Sequence, residues 1–228
     1  MAATIIDDPL LRNRSFVFED RNDAGLHLAK MLEQFRGKDA VVLAIPSGGV
    51  PVGLVVSSYL ELPFDLLIIR KIPIPGNTEA GFGAISLEGD ILLNDSMVKM
   101  LGLSDYEIKE LAKPVEAELK ARNDIFRQGR PMLDLGRKII ILVDDGLASG
   151  YTMMTAANMV RRRKPAMLVV AVPTASLNTI EMLSEYVDMI VCSNIRSGYS
   201  FAVADAYRNW YDLTREEVVS MLRKFNFR

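Results

Sequence analysis

Two adjacent carboxylates at the end of an apolar run are the first residues whose order suggests chemistry. Ile139-Ile140-Ile141-Leu142-Val143 leads directly into Asp144-Asp145, then into Gly146-Leu147-Ala148-Ser149-Gly150-Tyr151-Thr152. The apolar run reads as a buried strand and the small residues as a short loop entering a helix. Backbone N–H groups of 146–152, at a helix N-terminus, can cradle a phosphate monoester. Small side chains let the backbone approach closely, and the Ser149 and Thr152 hydroxyls add donors. Asp144 and Asp145 cannot face a phosphate without repulsion, so they face neutral hydroxyls. The 2′- and 3′-hydroxyls of a ribose carrying a 5′-phosphate meet that requirement. The acid pair alone would match any acidic strand end before an ordinary turn; the whole run from Ile139 to Thr152 is far more specific.

Two other loops carry candidate groups. Ile45-Pro46-Ser47-Gly48-Gly49-Val50 follows the apolar run 40–45, and its glycine pair can expose N–H groups to an anion, although a tight turn has the same composition. Arg70-Lys71 ends the apolar run 64–69 and is either a pair of solvated charges or a contact to an anionic leaving group. The stretch from Arg70 to Gly83 contains Pro73, Pro75, Gly76, Gly81 and Gly83 and reads as a loop; its part 72–82, with Asn77, Thr78 and Glu79, is an active-site cover or a long surface turn. Competing phosphate motifs fail: Gly48 to Gly53 lacks a following Lys-Ser/Thr, and no G-x-G-x-x-G follows a strand.

The run Ile139–Thr152 resembles the PRPP-binding signature of type I phosphoribosyltransferases, in which four apolar residues, two acidic residues and a small Thr/Ser/Gly loop follow in this order. The resemblance implies that Asp144 and Asp145 hold the ribose hydroxyls and that Gly146, Leu147, Ala148, Ser149, Gly150, Tyr151 and Thr152 hold the 5′-phosphate. Ala148 stands where the family usually has threonine, which removes a hydroxyl donor and leaves the backbone donors. Ser47, Gly48 and Gly49 would form the pyrophosphate loop, with a non-proline cis peptide at Ser47–Gly48. Lys71, with Arg70, would meet the leaving pyrophosphate, and the 72–82 segment would shield the reaction from water. Arg70-Lys71 through Gly83-Ala84, together with Gly129-Arg130-Pro131, looks like a branch of the family sometimes found fused to hydrolases. The implied reaction transfers the 5-phosphoribosyl group of PRPP to a nitrogenous base or related amine and releases pyrophosphate. A non-catalytic PRPP- or nucleotide-binding regulator is the alternative. Mg²⁺ would be held mainly by PRPP near Asp144 and Asp145, without a direct protein ligand. A hood from the N-terminal segment and about 193–228 would select the acceptor. Tyr199 or Phe201 would stack on the acceptor ring, or else pack the terminal helix or a dimer partner. The family is usually a homodimer.

The elements that must position these loops alternate along the chain. Helices are expected over Asp23–Phe35, Val50–Tyr59, Tyr151–Arg163 and Leu177–Glu185. Buried strands are expected over Ala40–Ile45, Phe64–Ile69, Lys138–Val143, Met167–Val172 and Val187–Cys192, and a hairpin over Ala84–Asn94. Ser104 with Glu107 and Thr214 with Glu217 are capping boxes opening two more helices, the first containing Pro114 as a kink or break. The expected fold is α/β: a three-layer α/β/α domain over 1–228, with a mainly parallel twisted sheet of five strands, an antiparallel edge hairpin and a small hood. In such sheets ligands bind beyond the carboxyl ends of the strands.

Composition narrows the classes. The 228 residues are half apolar and one quarter charged, so a mostly disordered chain is excluded. With 27 basic and 29 acidic residues the net charge is −2, which argues against a nucleic-acid partner. Arg161-Arg162-Arg163-Lys164 reads as a helix end, where cations favour the carbonyl pole. Cys192 stands alone, so no intrachain disulfide forms, and it reads as a buried apolar residue. His27 reads as helix packing, and Met153, Met154 and Met159 as core. No apolar stretch reaches the length of a membrane span, and Met1–Arg14 lacks an apolar signal core, so a cytoplasmic location with no membrane partner is expected.

Overall fold

The continuous apolar runs become parallel strands buried on both faces, as the absence of alternation in them requires. The computed structural model describes residues 2–87, 91–198, 201–225 and 227. It divides into two units, Met1–Leu67 with Met132–Arg228, and Ile68–Pro131. The first unit begins with β1 (Thr4–Asp7), α1 (Arg21–Met31), β2 (Ala40–Ala44), α2 (Gly49–Leu60) and β3 (Phe64–Leu66). The second holds β4 (Ile69–Ile74), β5 (Asn77–Ser86), β6 (Ile91–Leu93), α3 (Asp95–Leu101) and α4 (Asp105–Arg127). The chain returns to the first unit through β7 (Ile139–Val143), α5 (Tyr151–Arg162), β8 (Met167–Ser176), α6 (Leu177–Leu183), β9 (Met189–Arg196) and α7 (Arg215–Lys224).

The first unit is built on a parallel sheet in the order β1-β9-β8-β7-β2-β3. It has six strands, not the expected five, because Thr4–Asp7 adds an edge strand in register with Met189–Cys192. From β2 the chain passes through α2 to β3 in one direction; from β7 it passes through α5, β8 and α6 to β9 in the other. Right-handed crossovers then place α2 on one face and α5 and α6 on the other, giving three layers. The strand order reverses between β2 and β7, which is where an open α/β sheet leaves a crevice at its carboxyl ends. β2 and β7 are paired from Ala40 with Ile139 to Ala44 with Val143. Helix α1, expected from Asp23, starts at Arg21 because the Asp20 carboxylate accepts from the Asn22 and Asp23 N–H groups.

The second unit corrects two expectations. The hairpin is not an edge of the main sheet; it belongs to a separate antiparallel sheet, β4-β5-β6. The 70–83 stretch is not a loop, because Arg70 and Lys71 lie within β4, and β4 and β5 turn back on each other at Pro75-Gly76, with Gly76 at φ +78°. The ladder accommodates Pro73 at a register irregularity, where a missing N–H is tolerated. Ile72, Phe82 and Ile85 of this sheet pack with Ile108, Ala112 and Val115 of α4. That buried face accounts for α4 running on past Pro114 instead of splitting there, one lost hydrogen bond being offset by packing on both sides of it. Residues 88–90 of the expected hairpin lie outside the described residues.

Candidate functional site

The β2 and β7 strand ends carry their loops side by side. Ile45 N–H donates to the Val143 carbonyl at 3.0 Å, so the pairing runs up to the acid pair. A Cβ on Gly49 would stand 2.6 Å from the Val143 oxygen, and one on Gly48 would stand 2.0 Å from Asp145 Oδ2. Only glycines let the α2 start lie against Asp144 and Asp145. The non-proline cis peptide is at Pro46–Ser47, one bond before the expected Ser47–Gly48. Gly48 is already helical, with φ −60° and ψ −37°, and Val50 N–H closes onto the Ser47 carbonyl at 3.2 Å. Gly49 N–H is committed to the Ile45 carbonyl at 3.1 Å, so its expected role as an anion donor does not hold. Helix initiation uses it.

The acid pair is held unequally. Asp144 Oδ1 accepts from Asp145 N–H at 2.9 Å. Asp145 Oδ2 accepts from Arg21 Nε at 2.9 Å, and its backbone carbonyl accepts from the Tyr207 hydroxyl at 2.5 Å. Burial and the neighbouring Asp145 charge push the Asp144 carboxyl well above the usual range. Burial also raises Asp145, with Arg21 pulling the other way. Tyr207 is pushed up by burial and then by Asp145, so it remains a neutral donor.

The loop after β7 has a buried floor and an exposed rim. Leu147 and Gly150 are buried, whereas Ala148, Ser149, Tyr151 and Thr152 are exposed. Leu147 N–H was expected in the anion cradle, but it donates to the Thr174 carbonyl at 2.9 Å, because Leu147 bridges to Ala175 of β8. The Leu147 carbonyl accepts from Ser176 N–H at 3.4 Å, and the Ala148 carbonyl from Thr179 Oγ1 at 2.5 Å. In a trans peptide C=O and N–H point in opposite directions. These two anchors therefore turn the N–H groups of Ala148 and Ser149 away from the β8–α6 junction. The first intrahelical bond of α5 is Met154 N–H to the Gly150 carbonyl at 2.8 Å. The N–H groups of Gly150 to Met153 thus lie in the helix turn that has no intrahelical acceptors. Gly150 has φ +74°, and a Cβ there would lie 2.5 Å from Thr179 Cγ2. Thr179→Val keeps the shape and removes the anchor. Its expected effect is a roughly fivefold loss of ribose 5-phosphate affinity, from about 1 kcal/mol for one hydrogen bond. Calorimetric titration checks this, and unchanged affinity contradicts it.

The segments flanking the sheet pair with each other in a small cluster. Phe16 and Phe18 N–H groups donate to the carbonyls of Asp205 (2.7 Å) and Ala206 (3.0 Å), and Arg208 N–H to that of Phe18 at 2.9 Å. Phe18, Ala24, Ala206 and Tyr207 make its core, with Trp210 against it. Of the two acceptor candidates, Phe201 lies under the Arg196 guanidinium at 5.5 Å, and Tyr199 lies outside the described residues. Arg70 pairs with Glu118 inside the second unit, and Lys71 is exposed on β4. His27 Nε2 faces Asp8 Oδ2 at 3.2 Å, Arg161 pairs with Asp188, and Cys192 is buried with its thiol pushed up by burial. Arg21, Tyr207 and Thr179 are the site residues that sequence reasoning missed; Asp20, a helix-start residue, signals where Arg21 sits but not what it meets.

Among the described residues no group of three or more His, Cys, Asp or Glu is placed to hold a metal ion, and no helix is long and apolar enough to cross a membrane. A family model described as a phosphoribosyl transferase domain matches residues 23–206. Two Mycobacterium tuberculosis proteins, from strains CDC 1551 / Oshkosh and H37Rv, each carry a provisional phosphoribosyl transferase name and are 37% identical over 206 residues. That alignment covers 90% of this chain and 46% of each relative, so the chain spans about half the length of the curated relatives it matches. A Thermus thermophilus protein of known crystal structure superposes with a TM-score of 0.79 at 31% identity, covering 91% of this chain and 98% of that one.

Proposed function

The chain belongs to the phosphoribosyl transferase domain family, and on that footing we propose that it binds PRPP at the β2–β7 crevice and transfers the 5-phosphoribosyl group to a nitrogenous acceptor, releasing pyrophosphate. The observation that carries this reading is the placement of Asp144 and Asp145 beside a loop whose carbonyls are anchored from behind. In this reading the N–H groups of Ala148 to Thr152 hold the 5′-phosphate, and the two carboxylates accept from the ribose 2′- and 3′-hydroxyls. Gly48 N–H serves the pyrophosphate side. The roles of Lys71 and Arg70 at the leaving group rest on the sequence resemblance.

The acid pair suits a Mg²⁺ ion carried on the substrate's own oxygens, because one carboxylate is already tied to Arg21 and the other is pushed toward its neutral form. When bound, that ion would neutralise charge on the departing pyrophosphate. Positive charge developing on the ribose ring would lie near Asp144 and Asp145, which favours the transition state over the ground state. The test is pyrophosphate release from PRPP–Mg²⁺ with a panel of purine, pyrimidine and amine acceptors. Acceptor-dependent release supports the transferase. PRPP binding without release for any acceptor makes the chain a binder only, and absence of PRPP binding overturns the reading.

A further inference from the structure

Arg21 opens α1 and approaches the sheet from a segment 124 residues before the acid pair. Its side chain is 7% exposed. Nε donates to Asp145 Oδ2 at 2.9 Å, Nη1 donates to the Tyr211 carbonyl at 3.0 Å, and the guanidinium lies 3.9 Å from the centre of the Trp210 ring. Trp210 in turn packs against Tyr207 with ring centres 5.1 Å apart and planes tilted by 39°, and the Tyr207 hydroxyl holds the Asp145 carbonyl. Asp145 is thereby fixed at both its side chain and its backbone by groups from the two hood segments.

A buried arginine could simply be a structural clamp, but its placement argues for more. Two carboxylates on consecutive residues, both largely but not fully buried, would repel each other if both were ionised. Arg21 cancels one of those charges and occupies Oδ2 only. The other oxygen, Oδ1, takes no part in that ion pair and is the one assigned to a ligand hydroxyl. A planar guanidinium bonded at one side to the carboxylate and at the other to a backbone carbonyl also fixes the carboxylate's direction, which a flexible ammonium would do less well.

We infer that Arg21 is a positioning residue for sugar binding: it pairs with Asp145 and aims its carboxylate, and through Trp210 and Tyr211 it makes the hood part of the same unit. This rests on the reading of Asp145 as a ribose ligand. The role is separable from simple stability because Arg21 acts on the hydroxyl end of the ligand and not on the phosphate end, which is held by the 148–152 loop.

Three quantities test it: calorimetric affinity for PRPP–Mg²⁺, affinity for inorganic phosphate at the same site, and thermal unfolding. Arg21→Ala is expected to weaken PRPP at least about tenfold, as loss of one partner of a buried charge pair does, while inorganic phosphate changes less than about twofold. Arg21→Lys is expected to restore PRPP affinity in part. In an Asp145→Asn background, Arg21→Ala is expected to have almost no further effect on PRPP. Should the alanine variant fail to fold, Arg21→Gln keeps a shorter, uncharged side chain with an amide N–H₂ donor and is read the same way. Equal losses for PRPP and inorganic phosphate, or additive losses in the double variant, overturn the inference and leave Arg21 a clamp. PRPP affinity that matches the unaltered protein in Arg21→Ala also overturns it, with the site reading intact. Failure of the unaltered protein to bind PRPP overturns the site reading itself, and the inference with it.

Discussion

Asp144→Asn is expected to raise the unfolding temperature at neutral pH while reducing PRPP affinity at least about hundredfold. The affinity loss follows from hydrogen bonds to a charged acceptor at roughly 1.5–3 kcal/mol each, with two ribose hydroxyls in reach of the acid pair. The stability gain follows from the raised pKa of Asp144, which burial and then Asp145 cause. The folded protein keeps this proton to a higher pH than the unfolded chain does. Between the unfolded value, about 3.9, and the folded one, the native state therefore binds more protons, and stability falls as pH rises through that window. Asparagine preserves the acceptor for Asp145 N–H and carries no charge to bury. The two proteins should converge in stability below about pH 4, where Asp144 is protonated in both states. Scanning calorimetry across pH checks this. An asparagine variant less stable at pH 7, or one that binds PRPP unchanged, contradicts the account of the pair as a functional site that weakens the fold.

Gly49→Ala carries the second large effect. Alanine in place of glycine inside a helix ordinarily stabilises by about 0.5–1 kcal/mol. Here the new Cβ would lie 2.6 Å from the Val143 carbonyl oxygen and 2.9 Å from Asp144 Cα, which are backbone atoms that cannot rotate away. The start of α2 and the end of β7 must separate. The expected cost is about 3 kcal/mol, as for severe overpacking, seen as a fall in unfolding temperature of roughly 6–12 °C for a chain of this size. Moving the α2 start away from Asp144 should also weaken PRPP. A variant as stable as the parent would mean that the two loops are not packed as described.

What the sequence revealed depends on how local each feature is. The run from Ile139 to Thr152 holds strand, acid pair and loop within one stretch, so its placement could be read without the fold. The Ser104–Glu107 and Thr214–Glu217 boxes are equally local, and both form. The 70–83 stretch misled because Pro73 and Gly81, which suggest a loop, sit opposite each other at a ladder irregularity, and Pro75-Gly76 is only the turn of a hairpin. Thr4–Asp7 is short and half-exposed, and its partner strand lies at the far end of the chain. Arg21 was invisible for the same reason: nothing near it in sequence hints at Asp145. The donors of Leu147 and Gly49 were misassigned because their competing acceptors, Thr174 and Ile45, become neighbours only once the sheet and α2 exist.

A crystal structure of the protein with ribose 5-phosphate at saturating concentration tests the central claim most directly. The expected result is a phosphate against the N–H groups of Ala148 to Thr152, with the sugar hydroxyls on Asp144 and Asp145 Oδ1. A ligand bound elsewhere, or a β2–β7 crevice that takes up none, would contradict it.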